Sequence, residues 1–166
     1  MDTISGLPWH PLLVHGVVVL GPLAALLLVA YVAKPTWRGG LKWPTVVLAV
    51  GSAALSKLAE ASGEELQHRV MGAGGAADQL IRKHAEPGEL AGASLALLAL
   101  ATLVSIFYLV PVKGPRAFVE GKSRGMFGTI ALASAIVAAL FVGYAVIDAG
   151  HTGATSVWSS VISSTN

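Results

Sequence analysis

Four apolar runs free of charged residues divide the chain: Pro11 to Ala33, Trp43 to Ser56, Leu90 to Val112 and Met126 to Ile147. Three of them come close to the roughly 20 residues that a helix needs to cross ~30 Å of hydrocarbon. The second is short ahead of Lys57, so its helix must continue through Lys57 and Glu60. That polar end then sits at the interface or inside the bundle. The pattern predicts spans at about 11–33, 43–62, 89–112 and 125–148, separated at the second connection by a loop over about 63–88. The expected architecture is all-α, an integral membrane four-helix bundle forming a single transmembrane domain.

The connections orient it. "KPTWRGGLKW" carries Lys34, Arg38 and Lys42 without an acid, and "VKGPRAFVEGKSRG" carries Lys113, Arg116, Lys122 and Arg124 against Glu120 alone. Basic connections stay on the cytoplasmic side. The stretch from Lys57 to Glu89 is acidic by comparison, so it belongs outside, and with four spans both termini are extracytoplasmic as well. Within that outer loop, "GEELQHRV" and "AADQLIRKHAEPGEL" have helical composition on either side of the glycine-rich "MGAGGAA". We expect a helical extension, a glycine hinge and an amphipathic helix, with Pro87 and Gly88 marking a bend into helix three. "MDTISGLPW" has an acid and no basic residue, so the first run is expected to stay as helix one rather than be cleaved as a signal.

Composition agrees with this reading: 54% of the 166 residues are hydrophobic and 12% charged, with mean hydropathy +0.70. The net charge of +2 is accounted for by orientation signals and does not indicate nucleic-acid binding. With no cysteine, disulfides, thiolate-held iron–sulfur clusters and covalently attached c-type haem are all excluded. Any haem would be b-type.

The candidate chemistry is histidine. His10 and His15 open helix one, His68 and His84 lie in the outer loop, and His151 closes helix four, so all five fall on one membrane face. His10, ahead of Pro11, and His68, among charged neighbours, fit ordinary interfacial positions. His15 lies ~7 Å further along the helix, among Leu, Val and Gly, where a polar group should face the bundle interior. His10 and His15 stand ~140° apart on an ideal helix and cannot share one narrow face. Gly16, Gly150 and Gly153 beside His15 and His151 permit close packing, a C-cap or room for a flat cofactor. Asp148 is placed as an acceptor for an imidazole N–H. Of Glu60, Glu64 and Glu65, Glu64 is the carboxylate best placed to join the histidines.

Four segments occur in order: "HPLLVH", "ASGEEL", "LIRKHAEPGE" and "GHTGATSVW" after helix four. Together they resemble the bacterial four-helix membrane family catalogued as domain of unknown function 2231. The resemblance covers nearly the whole chain and implies a multi-pass protein of the bacterial plasma membrane. It matches His10, His15, Glu64, His84 and His151 to recurring polar positions of the family, and leaves His68 without a counterpart. Some relatives are joined to Rieske-type domains, which implies electron transfer at the outer face. Lacking cysteine, this chain would need a separate redox partner.

Three functions remain open at this stage. The preferred expectation is electron transfer by haem b, between a quinone or membrane complex and an extracytoplasmic carrier such as a Rieske-type protein or a c-type cytochrome. His15 and His151 form the first axial pair, and His10 and His84 a second pair or partners of the propionates. Small residues such as Gly16, Gly21, Ala131, Ser134 and Gly143 would line its slot. The alternative is a nonhaem copper, zinc or iron ion held by His10, His15, His84, His151 and Glu64. The third is a cofactor-free accessory subunit of an oligomer or larger respiratory complex. No nucleophile, phosphate loop or paired catalytic acids are evident, and the lack of charge at mid-bilayer depth disfavours a transporter.

Overall fold

The computed structural model describes residues 3–4, 7–70, 76–109 and 125–164. Its helices are α1 Trp9–Ala33, α2 Arg38–Val70, α3 Ala76–Tyr108 and α4 Met126–Ser164. Before α1, the two-residue strands β1 Thr3–Ile4 and β2 Leu7–Pro8 pair antiparallel. A 3-10 turn, Pro35–Trp37, joins α1 to α2. All four helices are long and apolar enough to span a membrane. In lipid the backbone must satisfy its own polar groups, and a continuous helix does so even across Pro22, Pro44 and Pro87.

The helices outrun the apolar runs. α2 continues through "GEELQHRV", and α3 begins at Ala76 and passes through Pro87 without a break. The expected outer loop is thus mostly helix, with the centre of the expected hinge, 71–75, outside the described residues. The basic connection 110–124 lies outside them too. Where the hydropathy pattern stops at Ile147, α4 runs on to Ser164, so "GHTGATSVW" is part of the helix. Thr152, Thr155 and Ser156 bond back to carbonyls of this extension, keeping their polar groups within the helix.

Each helix buries a stripe with the alternating spacing of three and four residues. On α1 it runs Val17, Gly21, Ala24, Leu28 and Tyr31; on α2, Thr45, Ala49, Ser52, Ser56 and Ala59. On α3 it runs Ala91, Leu95, Leu98, Thr102 and Ser105, and on α4 it includes Ala135, Val142 and Val146. This is the repeat of bundles with shallow left-handed crossings. α1 packs on α2 and α4, and α3 on the same two, leaving α1 and α3 diagonal to each other.

One end of the bundle gathers both chain ends and the α2–α3 connection; the α1–α2 turn closes the other. At that turn the Tyr31 hydroxyl donates to the Leu109 carbonyl at 2.6 Å. The buried Arg38 donates to the carbonyls of Tyr31 and Val32 at 3.1 and 3.3 Å, capping the end of α1. Lys34 and Lys42 lie over the rings of Trp37 and Trp43, an arrangement suited to a membrane interface. About 20 residues along α2 from Trp43, one hydrocarbon thickness, the chain reaches Gly63.

Candidate functional site

Extending the buried stripes toward the Gly63 end brings four positions into one layer. His10 is one heptad before Val17, His84 one heptad before Ala91, Gly63 one after Ser56, and Gly153 one after Val146. Each helix contributes one member: an imidazole from each of the diagonal helices α1 and α3, and a glycine from each of α2 and α4.

The two rings meet edge to face, with centroids 6.1 Å apart and planes at 77°. Both lie against backbone. A Cβ at Gly63 would stand 2.9 Å from His10 Cε1, and one at Gly153 would stand 3.0 Å from His84 Cε1. A methyl group at either site would push the ring aside.

Hydrogen bonds fix the tautomers. His10 Nδ1 lies 2.8 Å from the Ala59 carbonyl, which can only accept, so Nδ1 carries the proton. His84 Nδ1 lies 3.3 Å from Thr152 Oγ1. The threonine proton is already directed to the carbonyls of Asp148 and Ala149 at 2.9 and 3.1 Å. Its oxygen therefore accepts from His84. With Nδ1 carrying the proton, the lone pair of each ring is on Nε2, and the His84 ring is also hydrogen-bonded by the Ala149 backbone. A ring whose Nδ1–H is held and whose Nε2 carries the lone pair has the arrangement of a metal-ligating histidine.

The other candidates are placed elsewhere. His15 is exposed on the outside of α1, its Nδ1 donating to the Pro11 carbonyl at 2.6 Å within its own helix. The expectation that its depth alone would turn it inward is not met, because its position falls off the buried stripe. His151, Glu64 and His68 are exposed as well. Asp148 joins the layer only through its backbone carbonyl. Among the acids, Glu60 leans inward, 3.5 Å from a Cβ at Gly92, while paired with Lys57 at 2.6 Å. Among the described residues no three His, Asp or Glu side chains converge as a metal site. Gly16 and Gly21, expected to open a slot, are covered by Leu55 and Leu95 instead.

Thr152 and Gly63 were not singled out by sequence, and Gly153 was noted only as a small residue beside His151, not as the surface under His84. Their signal was present as phase: each lies on, or one residue from, the inward spacing of its helix.

Over residues 6–166 the chain matches the family described as predicted membrane protein, DUF2231. It belongs to that family. No curated protein and no solved structure matches the chain. The DUF2231 domain thus accounts for nearly the whole sequence, including the His10, Gly63, His84 and Gly153 layer.

Proposed function

We propose that this DUF2231 protein is a membrane electron-transfer protein that holds a b-type haem between His10 and His84 at its extracytoplasmic end. The observation that carries the reading is the diagonal imidazole pair with both Nδ1 atoms held by hydrogen bonds and the two rings edge to face. Two metal–imidazole bonds of ~2.0–2.1 Å to one ion place ring centroids roughly 6 Å apart, the separation found here.

The donor set fits haem better than a bare ion such as zinc. Zinc needs about four ligands, whereas haem iron brings its own equatorial nitrogens and asks the protein for two axial ones. Bound there, the haem supplies a one-electron iron couple. The chain's own groups orient the ligands: the Ala59 carbonyl fixes the His10 ring, Thr152 fixes His84, and both rings lie against the backbone at Gly63 and Gly153. A layer one hydrocarbon thickness from the basic end lies within reach of a quinone in the membrane and of a carrier outside it. This replaces the His15–His151 pairing as the favoured axial pair.

The test is an optical spectrum of the detergent-purified protein, oxidised and dithionite-reduced, with metal analysis of the same sample. The expected result is a sharp Soret band with reduced α and β bands, lost in His10→Ala and His84→Ala but kept in His15→Ala and His151→Ala. Stoichiometric copper, zinc or iron without those bands would identify a bare-ion site. A folded sample with neither would identify a cofactor-free accessory subunit.

A further inference from the structure

Apart from Tyr31, every buried polar side chain among the described residues belongs to α2 or α3. Arg38, Thr45, Ser52 and Ser56 come from α2, and Ser94, Thr102 and Ser105 from α3; among the described residues α1 and α4 contribute no buried serine or threonine. The contact of Gly92 with Ser56 and Glu60 sets the antiparallel register of these two helices. Counting from it, Ser94 is level with Ser56, Thr102 falls next to Ala49, and Ser105 is level with Thr45. The hydroxyls therefore form one seam from the Arg38 end to Glu60, and His10 and His84 continue it. At ~1.5 Å per residue, successive levels are about 4–6 Å apart, a gap that one water closes with hydrogen bonds of ~2.8 Å.

Packing alone explains most of these hydroxyls, since Thr45, Ser52, Ser56 and Ser94 donate to carbonyls of their own helix. Thr102 is the exception. Its side chain is fully buried within the span, it does not bond back to α3, and Oγ1 has no partner among the described residues. On its level α2 offers only the methyl of Ala49. An unpaired hydroxyl in the interior is costly, and a bound water is the usual partner.

We propose that the α2–α3 seam is a hydrated proton path between the basic end of the bundle and the His10–His84 layer, with a water held at Thr102. Each hydroxyl or water accepts a proton on a lone pair and releases its own to the next. No group is left charged, and the net change is one proton moved from one end to the other. Such a relay needs no ionised residue at mid-bilayer depth, which is why the charge pattern gave no sign of it. The inference stands apart from the haem reading.

The experiment uses the full-length protein in sealed liposomes containing a pH-sensitive dye, with a potassium diffusion potential as the driving force. Proton flux above that of protein-free liposomes is expected. Thr102→Val should lower it about tenfold, the effect of losing one hydrogen bond from the transfer path. Thr102→Ser, which returns the hydroxyl, should restore it. Removing an unpaired hydroxyl leaves the fold intact, and a thermal melt of each variant checks this. Wild-type flux equal to that of empty liposomes, or flux unchanged by Thr102→Val, would overturn the proposal. Spectra of the same samples keep the two readings separate: flux without haem overturns only the redox function, and haem without flux overturns only the seam.

Discussion

The ring of His10 lies flush on the backbone of Gly63 and is held by the Ala59 carbonyl, 49 residues further along the chain yet in the same layer of the bundle. Gly63→Ala would place a methyl group 2.9 Å from Cε1, and Gly153→Ala one 3.0 Å from Cε1 of His84. Both rings end flexible side chains, so they turn while the helices stay. Each variant should fold with a melting temperature near wild type but, on the proposed haem reading, lose or shift the reduced bands.

Thr152 acts on the layer through His84. Thr152→Val removes the acceptor for Nδ1–H and frees the imidazole to change tautomer. On the proposed haem reading, haem affinity measured by titrating the protein should fall roughly 10–100-fold, the usual effect of deleting a ligand's hydrogen-bond partner. An affinity equal to wild type would show that His84 is oriented by packing alone.

Gly16 and Gly21 should respond differently to alanine. At Gly21 the new methyl meets Leu95 Cδ2 at 2.8 Å, and Leu95 is fully buried with nowhere to go. Gly21→Ala should destabilise the bundle by about 1–3 kcal/mol, as overpacking does. At Gly16 the obstacle is Leu55, half-buried and able to turn outward. There the gain in helix propensity, about 1 kcal/mol, should leave stability close to unchanged. Unfolding in mixed detergent micelles measures both.

Because the chain has no native cysteine, its orientation can be read by single-cysteine labelling. On the orientation expected from the basic connections, with both termini outside, cysteine at the exposed positions Glu64 or Trp158 should react with a membrane-impermeant maleimide in intact cells. Cysteine at Gly39, at the start of α2 beside the basic turn, should react only after permeabilisation. The reverse pattern would invert the topology and place the histidine layer inside.

The four spans were legible in sequence because hydrocarbon tolerates only long apolar helices, and the runs ending at Ala33, Ser56, Val112 and Ile147 announce them. The helical extensions were less so. α4 continues sixteen residues past Asp148 by hydroxyl back-bonds and by contact with α3, and hydropathy registers neither.

Sequence by itself determined that histidines gather at one end of a membrane bundle, since alternation of basic and acidic connections sets which ends coincide. Which of them meet was decided only in three dimensions. His15 has the more apolar neighbours, yet it points out, while His10 and His84 point in, because the phase of each helix is set by its whole buried stripe. Tertiary packing chose that phase by fitting Gly21 to Leu95 and Gly92 to Ser56 and Glu60. A helix rotates as one body, so the residues that lock it in mid-membrane also decide which imidazole faces its partner at the end.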